Sequence, residues 1–263
     1  MIKAVFFDID GTLVEFETRT LSDSTKKALD ALQANGIKRI VCTGRPISHL
    51  SFLPDAFYHY PFDGYVTYSG QICCDEKKKI FYKNTWRKES IRRAVSWILE
   101  KDVLCSVGLL DRTFDTKVNT YRISYLTEMN KLHLLPKVED PRLHMDEDIF
   151  QMSPYIPASQ DQAFLDYVGH VKGARWGGRF MDVFPDTGGK ANGMDQMLAY
   201  FGLSLEQTMA FGDGGNDIEM LEHAHIGIAM GNADPQVKSH ADMVTDSIHE
   251  DGIYKALKHF EII

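Results

Sequence analysis

Four apolar residues, Ala4-Val5-Phe6-Phe7, run unbroken into Asp8-Ile9-Asp10-Gly11-Thr12. A short apolar run that stops at carboxylates and a Gly-Thr turn predicts a strand buried on both faces and ending at a reactive edge. Leu21, Thr25, Ala28, Leu29 and Leu32 then fall at helical spacing, with Ser22 as a candidate N-cap and Asn35-Gly36 as the stop. Ile37 to Cys42 predicts a second buried strand, and Thr43-Gly44-Arg45-Pro46 follows it, Pro46 standing where a helix would begin. Strand, helix and strand at this spacing imply a right-handed βαβ unit, which brings Asp8 and Thr43 to one carboxyl edge of a parallel sheet.

The pattern continues with a strand over Gly64 to Tyr68. Gln71 to Cys74 and Lys79 to Tyr82 flank a polar turn and predict a hairpin leading away from the parallel sheet. From Arg87 the rhythm changes. A helix with Ile91, Ala94, Val95, Ile98 and Leu99 on one face is followed by a strand near Val103 to Leu109 and a polar middle. Strands at Ile149 to Ser153 and Phe180 to Phe184 enclose a helix around Gln160 to Val168. Lys190 then opens a helix, and Thr208 to Phe211 delivers Gly212-Asp213-Gly214-Gly215-Asn216-Asp217. Ile226 to Met230, Met243 to Thr245 and a closing helix over Gly252 to Phe260 complete the core. The expected fold is α/β: a Rossmann-like parallel-sheet core over 1–82 and 185–263, with an inserted α+β domain over 83–184.

At 263 residues, 44% hydrophobic, the chain is long enough for a main domain with a smaller insertion. The formal net charge of -8, with both signs scattered, gives no reason to expect nucleic acid or an anionic membrane as partner. Cys42, Cys73, Cys74 and Cys105 show no CxxC spacing and read as reduced thiols of a cytoplasmic protein. The apolar stretch before Asp8 is too short for a signal peptide.

Polar clusters therefore meet at one sheet edge: Asp8/Asp10, Thr43/Gly44, Lys190 and Asp213/Asn216/Asp217. Crowded carboxylates would raise one another's pKa unless a cation neutralised them. Oxygen donors without a matching His or Cys set favour Mg²⁺ before Ca²⁺. Lys190, the Thr43 hydroxyl and backbone N–H groups at Ile9, Asp10 and Gly44 would complete an anion cradle.

These residues resemble the haloacid dehalogenase-like (HAD) phosphatases: Asp8-x-Asp10-Gly11-Thr12 as first motif, Thr43 as second, Lys190 as third, and Gly212 to Asp217 as fourth. The chain is similar in particular to the Cof-type sugar phosphatases, whose large α/β cap (type IIB) is inserted between the second and third motifs. Here 32 residues separate Asp10 from Thr43 and 146 separate Thr43 from Lys190, so only the second gap can hold a cap. The resemblance implies Asp8 as nucleophile and Asp10 as acid and base. It implies Mg²⁺ held by Asp8, the Asp10 carbonyl and Asp213, with Asp217 as a ligand or as the residue that orients Lys190. Ile9, Thr43, Gly44, Lys190 and Asn216 would hold phosphate. Arg45, Ser69, Gly70, Trp176 and Arg179 are candidate substrate residues; relatives often carry Asn-Gly where this chain has Ser69-Gly70. The expected partner is a small phosphate ester, most plausibly a hexose or pentose phosphate, and the chain a monomer or small homo-oligomer. Two rivals are a phosphomannomutase-like phosphotransferase, which must clamp a second phosphate, and a non-catalytic sugar-phosphate sensor, whose mark would be loss of Asp8 or Asp10.

Overall fold

The computed structural model describes residues 1–15, 20–128, 132, 135–175 and 178–263. In chain order the elements are β1 (Ala4–Phe7), α1 (Asp23–Ala34), β2 (Lys38–Cys42), α2 (Asp55–Tyr58), β3 (Gly64–Thr67), β4 (Ile72–Asp75), β5 (Ile80–Lys83), α3 (Lys88–Glu100), β6 (Cys105–Gly108), β7 (Thr113–Asp115), α4 (Thr120–Glu128) and β8 (Lys137–Val138). There follow β9 (Gln151–Pro154), α5 (Asp161–Val168), β10 (Val171–Ala174), β11 (Asp182–Pro185), α6 (Lys190–Phe201), β12 (Thr208–Gly212), α7 (Ile218–His223), β13 (Ile226–Ala229), α8 (Pro235–Lys238), β14 (Met243–Val244) and α9 (Gly252–His259). Among the described residues no helix is long and apolar enough to cross a membrane.

The chain divides into two compact units, Met1–Asn84 with Gly188–Ile263, and Thr85–Thr187. The first holds an eight-stranded sheet in the order β14-β13-β12-β1-β2-β3-β4-β5. Its strands are parallel from β14 to β3. β1 is buried along its whole length because its neighbours flank it on both edges and apolar layers cover both faces. Ala4 and Phe6 join Ile40, Cys42, Val66, Met194, Met197 and Ala210 in one apolar cluster, while the Phe7 ring stacks on Phe211 at 5.3 Å. Ser22 caps α1 by accepting from the Thr25 N–H, as its position before the helix predicts.

The hairpin expected to leave the sheet stays in it. β4 pairs antiparallel with β3, and β5 with β4. The reason lies in the turn: Tyr68, Ser69 and Gly70 have φ of 52, 50 and 92°, and three consecutive left-handed residues fold the chain straight back along β3. A second difference follows Thr43. Pro46 is extended (φ -58°, ψ 148°) and precedes a 3₁₀ turn over Ile47–Phe52 rather than opening an α-helix.

The inserted unit holds a six-stranded sheet in the order β10-β11-β9-β6-β7-β8, antiparallel except for the β7–β8 pair. Ile91, Ala94, Val95, Trp97 and Ile98 of α3 and Phe164 and Val168 of α5 bury against Cys105, Val107, Phe114, Met152 and Val183 of the sheet. The polar middle expected after Leu109 contains β7, α4 and β8, and β10 follows α5 where the sequence pattern predicts no strand. All three strands have at most four residues, too few to show an apolar/polar alternation, so only their sheet partners reveal them. The unit ends at Thr187 rather than 184, since Pro185 still pairs with Val171 and the Asp186 N–H donates to the His170 carbonyl.

Candidate active site

Three strand ends and one helix start converge on Asp8. Asp8 leaves β1 with its N–H donated to the Phe211 carbonyl, and the chain then wraps tightly round Ile9, whose carbonyl accepts from Thr12, Leu13 and Val14. Gly11, at φ 86°, makes the bend, and Asn232 Nδ2 donates to its carbonyl at 2.9 Å. The turn separates the two acids of the motif. Asp8 is buried and its Oδ1 accepts from Lys190 Nζ at 2.6 Å. Asp10 faces the other way and meets Arg45, whose Nε and Nη2 donate to its two carboxylate oxygens at 2.6 Å each.

Lys190 arrives from the first turn of α6. Gly189 before it takes φ 111°, and a Cβ there would lie 2.2 Å from the Glu219 carboxylate, so only glycine lets the loop enter this closely. The buried ammonium bridges Asp8 and Asp217. Asp217 is fully buried, and its second oxygen accepts from the N–H groups of Asp213 and Gly214 at 3.0 and 2.9 Å. That oxygen pins the loop after β12, and Gly212 leaves it room, since a Cβ there would lie 2.5 Å from Asp217 Cβ. Thr12 Oγ1 donates to Asp213 Oδ1 at 2.8 Å, tying the first loop to the fourth.

Thr43 follows β2, buried, with its N–H on the Val66 carbonyl and its Oγ1 accepting from the Arg45 N–H. Its own carbonyl accepts from the Ser69 N–H, which places the left-handed turn beside it. Ser69 is buried and its Oγ has no hydrogen-bond partner among the described residues. Gly70 abuts Gly189: a Cβ on Gly70 would come within 1.8 Å of the Gly189 carbonyl oxygen. Asn216 is half-buried in the turn Gly215–Asp217, and Gly44 is half-buried after Thr43. Arg179 belongs to the inserted unit, where its guanidinium lies 4.0 Å over the Tyr121 ring. Trp176 lies outside the described residues.

The charge balance is unequal. Asp8, Asp213 and Asp217 present carboxylate oxygens all within 4.8 Å of one another, against one lysine. Burial, then the Asp217 charge, pushes Asp8 up to about 7 despite Lys190. Burial, Asp217 and Asp8 likewise push Asp213 up to about 8. Burial alone would lower Lys190, but the carboxylates of Asp217 and Asp8 outweigh it and hold the ammonium charged. An all-carboxylate set short of positive charge suits a hard divalent cation. Since Asp217 already engages the lysine and two backbone donors, Asp8 and Asp213 are the better placed ligands.

Thr12 and Asn232 are structural partners that sequence reasoning did not single out for these contacts. For Asn232 the available signal was its turn after β13, at the edge that carries the other loops.

Residues 5–257 match the family model of the haloacid dehalogenase-like hydrolases. The chain belongs to that family. Among solved structures it is similar to the HAD subclass IIB sugar phosphatase BT4131, at 39% identity and a TM-score of 0.88 over 99% of this chain and all of the other. Among known proteins it is 29% identical to YkrA of Bacillus subtilis over 99% of this chain and 98% of that one. It is 25% identical to the 5-amino-6-(5-phospho-D-ribitylamino)uracil phosphatase YitU of the same organism, over 97% and 96% of the two chains. This HAD hydrolase is an enzyme acting on phosphate esters.

Proposed function

We propose that this HAD phosphatase is Mg²⁺-dependent and hydrolyses phosphate monoesters of small sugars through an aspartyl-phosphate. The observation that carries the reading is the division between the two acids: Asp8 sits on the buried lysine, and Asp10 is held apart by Arg45. Asp8 attacks phosphorus as the bond to the sugar oxygen breaks, and Asp10 gives that oxygen its proton. Water then attacks phosphorus, Asp10 takes the water's proton, and the bond to Asp8 breaks to release inorganic phosphate. Lys190, Thr43, Asn216 and the N–H groups at Ile9 and Gly44 hold the phosphoryl oxygens, and Asp217 keeps Lys190 in place. Mg²⁺ on Asp8, Asp213 and the Asp10 carbonyl would supply the positive charge the carboxylates lack. The sugar-phosphate substrate class is supported by the 39% identity to BT4131, itself a sugar phosphatase.

Asp8→Asn should abolish release of inorganic phosphate from hexose phosphates while the circular dichroism spectrum and melting temperature stay near wild type. Turnover by a folded Asp8→Asn protein would refute the mechanism. With hexose 1-phosphate the expected product is inorganic phosphate; hexose 6-phosphate would mark a mutase instead.

A further inference from the structure

Among the described residues the two sheets end in four edge strands, β14 and β5 in the first unit and β10 and β8 in the second. An open edge is a template for another chain, and like charges along it keep a second copy away. Three of the four edges carry a single sign. Lys78 and Lys79 precede β5 and Lys83 ends it; β10 contains Lys172 and is followed by Arg175; β14 lies between Asp242 and Asp246. The fourth edge carries both signs, since Lys137 and Glu139 stand on either side of Val138 in and after β8.

The backbone of β8 is arranged to match. The Glu139 N–H donates to the Asp115 carbonyl at 3.0 Å, so in the parallel ladder with β7 the residues at 137 and 139 turn their N–H and C=O groups toward β7. Alternation turns both backbone groups of Val138 to the free edge. Two copies related by a twofold axis at Val138 would exchange both bonds, as in the close hydrogen-bonded pair of an antiparallel ladder. The same operation sets Lys137 of each copy opposite Glu139 of the other, on one face of the joined sheet. Lys137 is exposed, and the Glu139 carboxylate is fixed in place by His144 Nε2 at 2.9 Å. Apolar surface flanks the pair, with Leu135, Val138 and Leu143 exposed at 37, 54 and 77%. Its removal from water would favour the contact.

We propose that β8 is an interaction surface for a second copy of this chain, which adds antiparallel at Val138 and joins the two six-stranded sheets into one. The edge meets itself, so association closes at a dimer. The proposal is independent of the phosphatase reading.

Small-angle X-ray scattering of the full chain at up to about 0.5 mM should give a mass that rises reversibly from one chain toward two. Lys137→Glu sets a carboxylate against Glu139 in both places and should weaken the dimer at least about tenfold. Glu139→Lys should do the same by opposing two ammonium groups, whereas an equimolar mixture of the two variants regains both attractions and should dimerise again. Val138→Pro removes the N–H that faces the edge, touches no bond to β7, and should abolish the dimer while the circular dichroism spectrum is unchanged. A wild-type chain that stays monomeric, or a dimer that survives in folded Val138→Pro, would overturn the proposal. So would growth beyond two chains, which the acidic β14 edge meeting the basic β5 edge would produce. If Glu139→Lys fails to fold for want of its contact with His144, Lys137→Glu and Val138→Pro still decide the matter.

Discussion

Lys190 sets the charge state of the carboxylate cluster, because its buried ammonium lies between Asp8 and Asp217. Its shortfall against three carboxylates gives a pH dependence whose sign follows from linkage. Asp8 and Asp213, near 3.8 when unfolded, are raised to about 7 and about 8 when folded, so the native state holds more protons than the unfolded state between those values. Their contribution to stability is complete below pH 3.8 and is lost as the pH rises through 7 and 8. Protein stripped with a chelator should therefore melt lower at pH 8.5 than at pH 5, and Mg²⁺ should raise the melting temperature more at pH 8.5 than at pH 5. Equal Mg²⁺ stabilisation at both pH values would contradict the charge balance described. Arg45 belongs to the same scale. Its bidentate grip makes it a positioning residue for Asp10, and Arg45→Met should forfeit part of the roughly 10²–10⁴-fold due to a placed acid and base. Steady-state kinetics should show the loss in kcat more than in KM. Asp8, Asp10, Lys190 and Asp213 were legible as candidates because chemistry marks them and strand ends locate them. The Arg45–Asp10 pair was not, since its members lie 35 positions apart and no local pattern couples them.

At the scale of elements, the site depends on how α6 begins. Gly189 adopts a backbone conformation that L side chains rarely take, against Glu219 on one side and Gly70 on the other. Gly189→Ala should cost on the order of 1–3 kcal/mol of stability, measured by chemical denaturation, and should reduce turnover by moving the adjacent Lys190. Wild-type stability in that variant would show that the loop has more room than its contacts imply. The long elements were readable from periodicity: β1 and β12 as apolar runs before polar loops, α1 and α3 by their helical stripes. β7, β8 and β10 were not, because strands of two to four residues owe their conformation to the neighbours they pair with. The hairpin's direction was equally hidden, resting on the left-handed turn at Tyr68 to Gly70.

At the scale of the whole molecule, two apolar clusters serve two compact units, and the second unit is one continuous stretch of chain. A fragment spanning 85–187 should therefore fold alone, giving a cooperative melt and native-like far-ultraviolet circular dichroism. A non-cooperative melt would show that its core is insufficient. The order of motifs, the gap long enough for an insertion and the candidate reactive side chains were legible in the sequence itself, because strand burial and helix periodicity are local properties. Which carboxylate meets the lysine, which meets Arg45, and which face of the inserted sheet is polar were decided only by the tertiary structure. Those outcomes depend on contacts between residues 9 to 182 positions apart, from Ser106 with Asp115 to Lys190 with Asp8, and burial gives such contacts their strength by excluding water.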